Sequence, residues 1–281
     1  MPGTILMYIE DLGFMKKVFL LLYTLCLLGS CTSGGSNDQP EVVPLQNACE
    51  VIGLNPRIIS GTACAETNSP VAKVLIVNQD NSQGLCTGTF LSANKVLTAA
   101  HCFLGKSVRF VFVELNGESS LASSVVVHPQ AAIVLEGSVP KVANDVAIIT
   151  LSANRAVNTL PILVSATIKR NDVFSIYGYG LDEAGNLQVL RSGQSKASSV
   201  NDQHITAKFE NVGSNSCNGD SGGPALLTIL KDGVAQSGIV GLVSSGSNPS
   251  CLSGDESVYA HVASSIMLDF IQDQVPELRL L

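Results

Sequence analysis

The segment Cys217-Asn218-Gly219-Asp220-Ser221-Gly222-Gly223-Pro224 sets a serine in a glycine-rich turn. By itself it reads as a tight loop, or as a turn that presents a nucleophile. Two other segments bear on that choice. Leu97-Thr98-Ala99-Ala100-His101-Cys102 places a histidine at the end of an apolar strand, among small residues. Asn144-Asp145-Val146-Ala147-Ile148-Ile149 places an acid at the start of a buried strand. Taken singly, His101 reads as a satisfied core histidine and Asp145 as a turn cap. Together the three segments supply a nucleophile, a base and an orienting acid, the set that acyl transfer needs.

Composition narrows the setting. The chain has 281 residues with 16 Lys and Arg against 23 Asp and Glu, a formal charge of −7. Its basic runs are no longer than Lys16-Lys17 or Lys169-Arg170, which argues against nucleic acid as a partner. Charged residues make up 14% and hydrophobic ones 46%, which excludes disorder over most of the length. Aromatics are 5% and tryptophan is absent, so small β-branched and aliphatic residues must fill the core.

From Ile58 onward the chain is a series of short Val- and Ile-rich runs. They include Val71–Val77, Val108–Val113, Ser123–Val127, Val146–Leu151, Val173–Tyr179, Ile205–Phe209, Ala225–Leu230 and Ile239–Ser244. Clusters of Gly, Asn, Ser and Asp separate them, as in an all-β barrel or sandwich. A helix is expected over Ala263–Gln274, with Ile266, Phe270 and Ile271 on one face.

The N-terminus reads as an address. Lys16 and Lys17 precede an apolar run, Val18 to Gly29, too short for the roughly 20 residues of a membrane span but fitting a secretory signal. Translation is expected to start at Met15. The run ends in Leu28-Gly29-Ser30-Cys31, which resembles the bacterial lipobox and makes Cys31 the expected lipidation site. Residues 1–31 are thus expected to be a signal peptide with lipobox, and 32–57 a tether and pro-segment. The product is expected to be exported, as a cell-envelope lipoprotein of the outer membrane or as a secreted protein, touching the membrane only through its lipid. Six further cysteines remain, Cys49, Cys64, Cys86, Cys102, Cys217 and Cys251. An even number in an oxidising compartment suggests three disulfides, for which six thiols allow 15 pairings.

The order His101, Asp145, Ser221, with Thr98-Ala99-Ala100-His101-Cys102 and Gly219-Asp220-Ser221-Gly222-Gly223-Pro224 around two of them, resembles the trypsin/chymotrypsin serine protease family. The likeness runs over roughly residues 58–275. It implies two six-stranded antiparallel β-barrels with a C-terminal helix across 58–281. It also implies a serine-type endopeptidase acting on protein or peptide substrates as a monomer, with no metal or cofactor. By the resemblance, His101, Asp145 and Ser221 are catalytic, and the amides of Gly219 and Ser221 form an oxyanion hole. Ser244 supports the acid and begins the substrate-pairing strand. Asn215, Gly246 and Ser257 belong to the primary pocket. Trypsin-like enzymes carry Asp where this chain has Asn215, so strong selection for a basic side chain is not expected, although Asp255 and Glu256 lie close in sequence and can supply a substitute charge. Ser245 stands where a Trp usually shelves the substrate.

Arg57-Ile58-Ile59-Ser60-Gly61 resembles the family's activation junction, with Ser60 a departure. The resemblance implies a zymogen, cleaved after Arg57 by a separate trypsin-like protease, whose new Ile58 ammonium pairs with Asp220. It pairs Cys86 with Cys102 and Cys217 with Cys251, leaving Cys49 to join Cys64. The rival expectation is a catalytically silent binding or adhesion module that keeps the barrels.

Overall fold

The computed structural model describes residues 40–43, 62–64, 66, 69–136, 139–211 and 213–281. All described residues belong to one compact unit, Gln39–Leu281. Cys31, Cys49, Arg57 and Ile58 lie outside the described residues.

The strands are β1 (Glu41–Val42), β2 (Thr62–Ala63), β3 (Val71–Asn78), β4 (Gln83–Phe90), β5 (Lys95–Thr98), β6 (Val108–Leu115), β7 (Glu118–Val127) and β8 (Ala132–Glu136). They continue as β9 (Val139–Ala143), β10 (Ala147–Leu151), β11 (Val173–Gly178), β12 (Arg191–Val200), β13 (His204–Lys208), β14 (Pro224–Lys231), β15 (Val234–Gly246) and β16 (Glu256–Ala260). The first barrel closes in the order β10-β5-β4-β3-β6-β7. In the second, β14-β11-β12-β13-β16-β15 closes through the β14–β15 pairing, with β1 added beside β14 and β2 beside β12. All these pairings are antiparallel. The helix α1 (Ser265–Gln274) follows the second barrel. This is the trypsin-like arrangement the sequence leads one to expect.

Period-two alternation explains why both barrels and the seam between them are apolar. In β3, Ala72, Val74 and Ile76 point into the first barrel with Val111, Val113 and Leu115 of β6. In β10, Ala147, Ile149 and Leu151 point inward, while Ile148 joins Leu97, Tyr177, Leu226 and Leu242 in a separate cluster. A third cluster, with Phe174, Ile176, Ala207, Leu227 and Tyr259, fills the second barrel. Strands such as β10 are therefore buried on both faces, which is why their sequences read as continuous apolar runs rather than alternating ones.

Strand β12, Arg191-Ser-Gly-Gln-Ser-Lys-Ala-Ser-Ser-Val200, carries almost no hydrophobic signal and is not among the expected runs, yet it pairs with both β11 and β13. Its buried positions Ser192, Gly193 and Ala197 are small on both faces, so there it contributes backbone hydrogen bonds rather than bulk. The hairpin of β8 and β9 is likewise absent from the expected runs.

The helix begins two residues later than expected, and its buried face is rotated. Met267, Phe270 and Ile271 are buried against the apolar seam, whereas Ile266 is 47% exposed. The i, i+3, i+4 spacing that runs through Phe270 and Ile271 starts at 267, and Ile266 falls a full residue outside that stripe. Accordingly, Met267→Ala should cost about 3 kcal/mol in urea unfolding of the disulfide-intact protein, and Ile266→Ala less than about 1 kcal/mol.

Candidate active site

Strand β5 delivers His101 into a single 3-10 turn, Ala100–Cys102. Ala99, Ala100 and Cys102 are fully buried, so the turn is anchored on every side except at the histidine, whose side chain is 24% exposed. Asp145 sits just before β10 and is 0% exposed. Its Oδ1 accepts the backbone N–H of His101 at 2.8 Å, and its Oδ2 lies 2.7 Å from His101 Nδ1. A carboxylate at Nδ1 requires the proton there, which leaves Nε2 as the free acceptor. Ser244 Oγ, from β15 of the other barrel, donates to the same Oδ2 at 2.5 Å.

The backbone before Asp145 is held in an uncommon conformation. Asn144 has φ of 50°, and Gln203 grips it from both sides. Asn144 N donates to Gln203 Oε1 at 2.8 Å, and Gln203 Nε2 donates to Asn144 Oδ1 at 3.1 Å. Gln203 carries no motif, and nothing in the sequence marks it as a support for the acid.

Ser221 is half-buried at the head of β14, and Cys217–Cys251 and Cys86–Cys102 are bonded on either side of it. Gly219 has φ of 100°, and a Cβ there would stand 2.9 Å from Gly180 Cα, so this position requires glycine. Thr87 of β4 clamps the loop to the first barrel. Its N–H donates to Ser221 O at 2.8 Å, and its hydroxyl to Gly219 O at 2.8 Å. With the carbonyls engaged, the amides of Gly219 and Ser221 donate to no acceptor among the described residues, while the intervening Asp220 N–H goes to Cys217 O. Two backbone donors in the serine loop are thus left open among the described residues.

Cys102 Sγ lies 4.0 Å from Ser221 O, which brings the loop alongside the residue after His101. Among the described residues Ser221 Oγ has no hydrogen-bond partner within 3.5 Å, the His101 ring included.

Beside Ser221 opens a cavity of about 110 Å³, with Ser244, Gly246, Asn248 and Asp255 on its wall. Asn215 and Ser257, which the family pattern places at this pocket, are buried behind the wall instead. Ser257 Oγ donates to Asn215 Oδ1 at 2.6 Å, and Asn215 Nδ2 donates to Cys251 O at 3.0 Å and to Asp255 Oδ2 at 2.8 Å. Ser245 Oγ donates to Pro140 O of β9.

The sequence model of the Trypsin family matches residues 58–271, three-quarters of the chain. The chain belongs to the trypsin family. It is 27% identical to Trypsin I-P1 of Gallus gallus over 206 residues, covering 65% of this chain and 79% of that one. It is 30% identical to Chymotrypsin-2 of Vespa crabro over 203 residues, covering 66% and 87%. The solved structure of HL collagenase superposes with a TM-score of 0.60 at 21% identity, over 79% of this chain and 97% of that one, a likeness of fold.

Within this trypsin-family frame Asp220 is a buried carboxylate with an unusual setting. Its Oδ1 accepts Gly180 N at 2.7 Å and its Oδ2 accepts Cys217 N at 2.8 Å. A Cβ on Gly178 or Gly180 would overlap the carboxylate, so both positions must stay bare. Arg191 is also buried here, paired with Asp182 Oδ2 at 2.5 Å and donating to the carbonyls of Gly180 and Asn186. It braces the loop that lies over Asp220, a role no sequence pattern signals. Cys64 is disulfide-bonded, and the other four described cysteines are paired with one another. The expected bond from Cys64 to Cys49 falls on a residue outside the described set.

Burial pushes the Asp220 carboxyl up to about 6 from an ordinary 3.8, against the two backbone donors and the more distant Arg191. Because the folded value is the higher one, protonated Asp220 favours the fold. That contribution is complete below pH 3.8 and is lost as the pH rises through 6. The shift corresponds to about 3 kcal/mol. With the Arg57–Ile58 bond intact, the stability of Asp220→Asn relative to wild type should therefore improve by about 3 kcal/mol between pH 3.5 and 7, read from unfolding curves at each pH. A difference that stays flat with pH would refute this account of Asp220.

Proposed function

We propose that this chain is an exported serine endopeptidase that works through Ser221, His101 and Asp145. The observation that carries this reading is the buried Asp145 carboxylate fixing His101 Nδ1 at 2.7 Å, next to a serine flanked by the two free amides of Gly219 and Ser221. With Nδ1 committed to Asp145, Nε2 takes the proton from Ser221 as Oγ attacks the scissile carbonyl. Negative charge then gathers on the carbonyl oxygen, where the two amides receive it. One such donor contributes about 3 kcal/mol to the transition state. His101 returns the proton to the leaving amine, and water, activated by the same ring, releases the acyl group from Ser221.

The protein is made as a zymogen in this reading. Cleavage after Arg57 frees the Ile58 ammonium, which seeks the carboxylate of Asp220. Support comes from Asp220 itself, buried and without an ion-pair partner among the described residues, so that an incoming cation would offset its desolvation. A Cys49–Cys64 bond would keep the pro-segment attached afterwards. Paired cysteines fit an oxidising compartment. The signal-like residues 1–31 and the lipobox-like Cys31 support an exported enzyme, tethered to the cell envelope or secreted, whose substrates are proteins or peptides met there.

An active-site fluorophosphonate should label the processed protein at Ser221. Ser221→Ala should abolish labelling and lower peptide hydrolysis by about 10⁶-fold with the fold intact by circular dichroism. No labelling of the processed wild type would support the silent module. Arg57→Gln should leave the protein uncleaved and inactive, and full activity in that variant would end the zymogen reading.

A further inference from the structure

The cavity beside Ser221 holds one ionisable side chain on its wall among the described residues, Asp255. Asp255 is 1% exposed. Its Oδ1 accepts Ser247 Oγ at 3.0 Å and Asn248 N at 2.8 Å. Its Oδ2 accepts Asn215 Nδ2 at 2.8 Å. Every one of these donors is neutral. None of the described Lys, Arg or His side chains forms an ion pair with it, and the exposed Lys208 is in register with the neighbouring Glu256 instead.

Two details turn this charge toward the cavity. A Cβ built on Gly246 would stand 3.1 and 3.2 Å from the two carboxylate oxygens, so the bare backbone at 246 leaves the carboxylate flank uncovered. Asn215, meanwhile, is fully spent. Its amide nitrogen serves Asp255 and Cys251 O, and its oxygen takes the Ser257 hydroxyl, so it acts as a bracket for Asp255 and not as a recognition group.

A buried carboxylate solvated by dipoles but not matched by a cation favours a ligand that brings the missing charge, repels an anion and gains nothing from an apolar group. We infer that Asp255 sets the primary specificity of this pocket, selecting substrates with Lys or Arg before the scissile bond. The inference rests on the protease reading for its substrate, but not for its binding chemistry. It replaces the expectation that Asn215 leaves the pocket without charge selection. It also makes Arg57 a fitting substrate for the enzyme's own pocket, so one processed molecule can activate the next.

The test uses the processed full-length protein and peptides that differ only before the scissile bond. Arg should exceed its neutral isostere citrulline by about 100-fold in kcat/KM, with Asp in that position the poorest. In Asp255→Asn the Arg-to-citrulline ratio should fall toward 1. Should that variant fail to fold, calorimetry on the wild type decides the matter, since benzamidinium should bind about 100-fold more tightly than neutral benzamide. Equal binding of the two, or a peptide preference for apolar or neutral residues, overturns the assignment. Absence of fluorophosphonate labelling with charge-selective benzamidinium binding would sink the protease reading and leave Asp255 as the anionic site.

Discussion

A single buried carboxylate, Asp145, ties the candidate site together. It takes hydrogen bonds from the backbone and ring of His101 on one side and from Ser244 on the other. His101 and Asp145 belong to the first barrel and Ser244 to β15 of the second. A charge this deep is tolerable because each oxygen is met by a donor. Removing any one donor would leave the acid undercompensated, so the constraint that orients the imidazole also registers the two barrels against each other.

The rest of the architecture serves that junction. Three apolar clusters fill the two barrels and the seam, and the seam cluster includes residues adjoining the site on both sides, Leu97 and Val146 from one barrel and Tyr179 and Leu242 from the other. Thr87 adds a polar cross-tie, joined through its hydroxyl and backbone to Gly219, Ser221, Tyr179 and Thr98. Three carboxylates, at 145, 220 and 255, are buried in this region amid backbone and side-chain dipoles.

Much of this was legible in the sequence because its signals are local. His101, Asp145 and Ser221 each lie in short segments whose neighbours, small residues or glycines, are dictated by close packing. The barrels could be anticipated because β3, β10 and β14 are apolar on both faces. What is not legible there is set by tertiary partners. Strand β12 is polar in composition and is a strand because β11 and β13 flank it. The face of α1 depends on a one-residue phase that Ile266 and Met267, both apolar, leave ambiguous. Gln203, Thr87 and Arg191 act across distances that no spacing rule reaches. At the pocket, two adjacent acids, Asp255 and Glu256, are equivalent on paper. Only the pleat of β16 and the bend before it decide that one turns inward and the other does not.

The clamp by Thr87 has an implication for how the molecule comes into being. Ser221 belongs to the later half of the chain, yet its loop is fastened to a residue of the earlier half. Neither half severed from the other retains the fastening, so the serine loop takes its final shape only when both have docked. In a chain still being made, the serine stays unanchored until strands of both barrels are in place.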